Sequence, residues 1–177
     1  QIRVGALFFT DRIEEYIPPA GGQHQAARIV SRLLEMRPKS SGTDLRVPLD
    51  FALKQLRSRA MVAVISDFMA PDFGKPLLAL AQRHDLRAIR VKDASENTPL
   101  PDVGLLRVRD AETNAEKVVD TGSPEFRAEQ GRIIRQREQD LAAAFQAARA
   151  QPMTLSTEGD YLDEMIRQFQ AAGAPRR

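Results

Sequence analysis

Apolar positions along the chain change their spacing several times, and each change marks an element. Val4-Gly5-Ala6-Leu7-Phe8-Phe9-Thr10 is almost continuously apolar, the pattern of a strand covered on both faces. Asp11-Arg12 separates it from the more polar Ile13-Glu14-Glu15-Tyr16-Ile17, and a gap of two residues predicts an antiparallel hairpin partner at a sheet edge. Pro18-Pro19 is expected to end that partner, because proline cannot donate to a ladder. Ala26, Val30, Leu33 and Leu34 then recur at helical spacing up to Pro38, and Leu45, Leu49, Ala52, Leu53 and Leu56 repeat the stripe on a second helix. Thr43 and Asp44 are the natural caps of that second helix, with Pro48 near its first turn.

Met61-Val62-Ala63-Val64-Ile65 reads as a fully buried parallel strand. A helix through Phe73, Leu77, Leu80 and Ala81 follows, ending near His84, and then a strand over Leu86–Val91. Leu105–Arg109 and Lys117–Asp120 flank a polar segment in which Asn114 suits a left-handed turn. Pro124 opens a long helix to about Ala150 with Phe126, Ile133, Ile134, Leu141 and Phe145 on its apolar side. Met153-Thr154-Leu155 is a short strand, and Leu162, Met165, Ile166 and Phe169 stripe a last helix. Strands alternating with helices predict an α/β fold with a doubly wound, mostly parallel sheet and an antiparallel edge hairpin.

At 177 residues, 42% hydrophobic and 28% charged, the chain is one globular domain, 1–177. With no cysteine, disulfide, thiolate-metal and cysteine-nucleophile chemistry are excluded. A net charge of only +2 and the absence of Trp argue against a nucleic-acid partner. No apolar run reaches the roughly 18 residues of a membrane helix, so no membrane contact is expected from this segment. Cysteine-free composition fits a reducing compartment, and the expected location is cytoplasmic. Gln1-Ile2-Arg3 shows neither an initiator Met nor a signal-peptide pattern, which suggests a domain shortened at its amino end.

Chemistry concentrates in two loops, Ser41-Gly42-Thr43-Asp44 and Ser66-Asp67-Phe68. In an open α/β sheet, ligands bind beyond the carboxyl ends of the strands, where both loops are expected to lie. A hydroxyl from Thr43 and a carboxylate from Asp67 are suitable oxygen ligands for Mg²⁺. The competing reading gives both residues, and Asp44, only capping roles, with Ser66 donating to its own loop. His24 and His84 lack a nearby Ser–acid arrangement, Glu14-Glu15 reads as a solvated edge, and Gly21-Gly22 lacks the Lys-Ser or Lys-Thr of a P-loop. Arg132, Arg135 and Arg137 mark the wet side of the long helix.

The succession Val4–Thr10, Gly42-Thr43-Asp44-Leu45 and Ile65-Ser66-Asp67-Phe68 resembles the carboxyl-terminal part of the bacterial domain-of-unknown-function family fifty-eight. Val119-Asp120-Thr121 and Thr157-Glu158-Gly159-Asp160-Tyr161 extend the likeness over nearly the whole chain. The resemblance implies a von Willebrand factor A-like fold with a metal-ion-dependent adhesion site built from an Asp-x-Ser-x-Ser segment, a Thr and an Asp. Thr43 matches the second and Asp67 the third, and the first has no counterpart here. The family's first central strand and helix are then missing, which leaves two strand edges to close on each other or to be covered, for example by a homodimer. The implied function is non-enzymatic: a protein-interaction module working with a MoxR-type AAA+ ATPase in chaperone-like assembly or metal insertion. The alternatives are a phosphotransfer or hydrolytic enzyme on a receiver-like sheet, with Asp67 as phosphoacceptor and Lys92 as phosphate contact, and a structural domain with a vestigial metal site.

Overall fold

A computed structural model describes residues 2–93, 96, 98–109, 115–150, 152–158 and 161–171. The order is β1 (Arg3–Phe9), β2 (Ile13–Gly21), α1 (Gln23–Glu35), α2 (Arg46–Gln55), β3 (Met61–Ser66), α3 (Gly74–Arg83), β4 (Asp85–Lys92), β5 (Leu105–Arg109), β6 (Glu116–Asp120), α4 (Pro124–Ala147), β7 (Pro152–Ser156) and α5 (Tyr161–Ala171). The expected turn at Asn114, and Gly159-Asp160, lie outside the described residues.

The strands form three sheets: an antiparallel β1–β2 hairpin, a parallel β3-β4-β7 sheet and an antiparallel β5–β6 hairpin. This corrects the expectation of one sheet with the first hairpin at its edge, because β1 and β3 do not pair and, among the described residues, each has one edge without a partner strand. The central strand is β4, and successive residues Ala88, Ile89 and Arg90 are all buried, so both its faces are covered. Its first face joins Val64 of β3, Leu49 of α2, Leu77 and Leu80 of α3, and Leu141 and Phe145 of α4 in the main core. Its second face joins Ile89, Met153 and Leu155 under Met165 of α5.

That second covering stops short of β3. Ile65 lies beside Ile89 in the ladder yet is 59% exposed, and Met61 on the same face is 58% exposed. So β3 is buried on one face, contrary to the reading of a strand buried on both. The α1 stripe is bare as well, with Val30, Leu33 and Leu34 exposed, the last at 80%. What holds α1 is polar: Gln25 is buried and its amide donates to the carbonyls of Val4 (3.1 Å) and Pro18 (2.9 Å), while Arg32 pairs with Glu15 at 2.6 Å.

Pro18-Pro19 does not end β2, which runs on to Gly21. The register shifts between Val4 and Ala6, and Gly5 occupies the irregularity. A side chain there would meet the Ile17 carbonyl oxygen at 2.7 Å and the Pro19 nitrogen at 2.9 Å, so glycine lets the backbones close over the prolines. Helix α2 ties the hairpin to the parallel sheet, through Tyr16 edge-on to Phe51 (5.1 Å) and Phe9 against the main core. At the base of the other hairpin, fully buried Thr121 donates its hydroxyl to the Gly104 carbonyl (2.8 Å) and accepts from the Val103 N–H (2.9 Å). Helix α4 is capped by Ser123, whose hydroxyl oxygen accepts from the Phe126 N–H at 3.2 Å, with Pro124 in the first turn.

Two free strand edges beside exposed Met61 and Ile65 form the pattern that natural proteins cover. The 177-residue chain is therefore expected to self-associate as its concentration rises, with Ile65→Lys shifting it toward monomer in sedimentation velocity. A wild-type chain that stays monomeric throughout the accessible concentration range contradicts this expectation.

Candidate functional site

The Asp67 loop is built by three successive interactions. The Ser66 hydroxyl oxygen accepts from the Phe68 N–H (3.0 Å), and Asp67 Oδ1 accepts from the Met69 N–H (3.0 Å) and the Ser66 hydroxyl (3.3 Å). Phe68 itself adopts φ 59°, the left-handed region that bulky residues avoid. Its buried ring stacks edge-on against Phe145 (4.9 Å) and tilted against Phe73 (5.3 Å). The loop is thus locked from below while Asp67 stays exposed above, with Oδ2 making no hydrogen bond among the described residues. Oδ1 has the local turn role expected of a cap, and Oδ2 remains available.

The Thr43 loop is pinned to the same end of the hairpin, where the Asp44 N–H donates to the Thr10 carbonyl at 3.1 Å. Asp44 does the capping: its Oδ1 accepts from the Arg46 N–H at 2.9 Å, and its carboxylate pairs with the Arg46 guanidinium at 2.8 Å. That pairing holds the Asp44 carboxyl below its ordinary pKa and raises that of Arg46. Thr43 caps nothing, contrary to the expectation, and its exposed hydroxyl has no hydrogen-bond partner among the described residues. Arg46 also feels the charge of Asp72, which follows the Asp67 loop, and Leu45 and Phe68, the neighbours of Asp44 and Asp67, belong to the same core cluster. Asp11 sits on this rim too, beside Gly42, its pKa lowered by Arg12 first and by Ser40.

One residue of this neighbourhood escaped the sequence reading. Arg90, buried in β4, is held by Glu138 of α4 through bonds of 2.9 and 3.1 Å, with Glu96 at 3.5 Å. The Glu138 carboxylate raises the Arg90 pKa, with a smaller contribution from Asp67. The signal was available: an arginine inside Ala88-Ile89-Arg90-Val91 demands a carboxylate when the strand is buried. Glu138 also pairs with Lys92 at 3.6 Å, so the proposed phosphate contact is already engaged. Glu14 accepts from the Thr10 hydroxyl (2.8 Å) and Glu15 pairs with Arg32, so neither forms an acid/base pair. Arg132, Arg135 and Arg137 are exposed, as the wet face required. His84, at the end of α3, is a buried ring, its pKa lowered by burial first and then by Arg83 and Arg59.

Chemically, the rim offers the exposed Thr43 hydroxyl and the exposed carboxylates of Asp67, Asp72 and Asp11, the last already paired with Arg12. Mg²⁺ takes six oxygens in near-octahedral geometry. Among the described residues no group of three or more His, Cys, Asp or Glu gathers to hold a metal, and Arg90 adds opposing positive charge. The described residues do not by themselves fit a resident Mg²⁺. They also include no helix long and apolar enough to cross a membrane.

An α/β domain with a three-stranded parallel sheet, antiparallel hairpins and oxygen-bearing loops at the carboxyl rim is the class this chain defines. A family model described as "Protein of unknown function DUF58" matches residues 2–140, and the chain belongs to that family. An uncharacterized protein of Mycobacterium tuberculosis is 29% identical over 168 residues, covering 93% of this chain and 52% of the relative. One from Mycobacterium avium is 28% identical over 154 residues, covering 85% of this chain and 90% of its own length. A third, described as an uncharacterized protein in the moxR 3' region of Paracoccus denitrificans, is 31% identical over 86 residues, covering 48% of this chain and 81% of the relative. The chain spans about half the length of the first of these relatives. Among solved structures, the conserved hypothetical protein BatB from Bacteroides thetaiotaomicron aligns over 96% of this chain and 78% of its own, with a TM-score of 0.49 and 11% identity.

The left-handed Phe68 backbone and its ring act in opposite directions, which two substitutions separate. Phe68→Ala is expected to lower stability by about 3–5 kcal/mol, because the ring is lost while the strained φ remains. Phe68→Gly, which relaxes that φ, is expected to lose about 1 kcal/mol less despite removing one carbon more. Urea unfolding of both variants measures the difference, and equal losses would mean the backbone carries no strain.

Proposed function

We propose that this chain is the carboxyl-terminal part of a non-enzymatic protein-interaction module with a von Willebrand factor A-like fold. In this reading Thr43 and Asp67 supply two oxygen ligands to an Mg²⁺ site completed by a third loop in the longer protein. The observation that carries the reading is the Thr43 hydroxyl: it is exposed and makes no hydrogen bond among the described residues, and its loop and the Asp67 loop both anchor in the main core, through Leu45 and Phe68. A residue kept only for capping would carry the bond that Asp44 carries instead. The unpaired edges of β1 and β3 support the same reading, since one further strand between them would join the hairpin to the parallel sheet.

The partner we propose is a MoxR-type AAA+ ATPase, supported by the relative described as lying in a moxR 3' region. The module would then work in the cytoplasm, beside an ATP-driven machine, in assembly or metal-insertion tasks. In this reading a cation held by Thr43 and Asp67 would grip an acidic side chain of the partner by completing its coordination with that carboxylate.

The full-length protein provides the test. Thr43→Ala and Asp67→Ala are each expected to weaken Mg²⁺-dependent binding of the ATPase by about tenfold or more, as loss of a charged or coordinating contact does. The binding that survives in EDTA should be the same for all variants. Unchanged Mg²⁺-dependent affinity in both variants would sink the grip mechanism. A single phosphate-sized mass increment after incubation with a small phosphodonor, lost in Asp67→Asn, would replace it with the phosphotransfer reading.

A further inference from the structure

The amino ends of β3 and β4 form the opposite rim, and its chemistry differs from that of the Thr43–Asp67 side. There the chain leaves α2 for β3 and leaves α3 for β4, and the Asp85 N–H donates to the Ala60 carbonyl at 2.9 Å to hold the two connections together. Between them lies a cavity of about 480 Å³, within the roughly 300–1,000 Å³ that small-molecule sites occupy. Its polar lining is Lys54, Arg57, Ser58, Arg59, Arg83 and His84, and no carboxylate lines it. Asp85, next in the chain, is already paired with Arg87 at 3.4 Å. None of the four lining cations makes an ion pair among the described residues, and the four stand together around one cavity.

Helix dipoles account for part of this. Lys54 and Arg83 lie in the last turns of α2 and α3, where cations are favourable. Arg57 and Arg59 lie beyond α2 in the connecting loop and are not explained that way. His84 is the second, independent sign. It is 4% exposed, it lines the same cavity, and both ring nitrogens are buried with no hydrogen-bond partner among the described residues. Buried polar side chains are nearly always satisfied, so an imidazole with no partner among the described residues is hydrogen-bonding capacity that these residues do not use.

We propose that this cavity binds a compact polyphosphate group, the vicinal phosphates of a nucleotide or of inorganic pyrophosphate. Four cations against no carboxylate call for several negative charges in a small volume, which one carboxylate does not supply. Guanidinium forks match phosphate oxygens in pairs, and three of the four cations are arginines. The exposed side chains of Arg57, Arg59 and Arg83 supply the contacts to the anion, and the buried ring of His84 lines the same cavity beneath them. Leu53 and Leu56 line the same cavity and give an attached organic group an apolar contact.

Calorimetric titration of the 177-residue chain at low ionic strength, with inorganic pyrophosphate, ADP and sulfate as separate probes, tests the assignment. Pyrophosphate is expected to bind one per chain, and Arg59→Gln and Arg83→Gln to weaken it by about tenfold each. The pair Arg132→Gln and Arg135→Gln, on exposed α4, should leave binding unchanged. The ring ¹⁵N resonances of His84 should shift on saturation, whereas those of exposed His24 should not. ADP tighter than pyrophosphate assigns a nucleotide, and equal affinities assign the phosphates alone. Sulfate as tight as pyrophosphate, equal weakening by the α4 pair, or an unmoved His84 resonance overturns the proposal.

Discussion

Phe68 is the point on which the rest of the molecule depends. Its left-handed backbone costs on the order of 1–3 kcal/mol, and that strain is retained only if something larger opposes it. Two ring contacts, to Phe73 and Phe145, contribute about 0.5–1.5 kcal/mol each beyond area, and burial of the ring adds roughly 1.5–3 kcal/mol. The sum exceeds the strain, so the ring stays in the core and the backbone stays turned. Because Phe145 belongs to α4 and Phe73 precedes α3, one side chain registers two helices against the end of β3. Asp67 is exposed because its neighbour is buried.

The second organising fact is the separation between β1 and β3. Helix α2 spans it, holding the hairpin by Tyr16–Phe51 on one side and feeding Leu49 into the main core on the other. The hairpin is thus tethered by side chains rather than by a ladder. Side-chain packing fixes position less strictly than a hydrogen-bonded register, and this explains why polar anchors recur there: Gln25 to two carbonyls, Arg32 to Glu15, and the Asp44 N–H to the Thr10 carbonyl. The uncovered Ile65 and Leu34 follow from the same separation, since each carries an apolar side chain that no described element reaches.

Much of the architecture was legible in the sequence because period and breakers act locally. The β3 strand, α3, β4, the β5–β6 hairpin and the Pro124 helix start all stand where apolar spacing and turn residues put them. The misreadings have tertiary causes. Pro18-Pro19 breaks a ladder only when its missing N–H is needed, and here the two prolines are themselves the bulge opposite Gly5, where no ladder bond is made. Continuous apolarity in Met61–Ile65 reports that a strand can be buried twice, not that both covers are at hand. Both Thr43 and Asp44 had the composition of a cap, and which of the two bonds the helix start was not legible, because it depends on which side chain the backbone turns toward the Arg46 N–H.

The two rims also show what a net charge of +2 conceals. Asp44 and Asp72 precede α2 and α3, while Lys54 and Arg83 close them, so helix dipoles alone sort acids to the carboxyl rim and cations to the amino rim. That sorting is ordinary stabilisation and needs no ligand. What exceeds it is informative: among the described residues, a hydroxyl and a carboxylate oxygen without bonds on one rim, and on the other two loop arginines that share a cavity with an imidazole lacking a partner. Groups whose charge or hydrogen-bonding capacity the fold does not use are where an external ligand gains the most, because no internal bond must be broken to bind it.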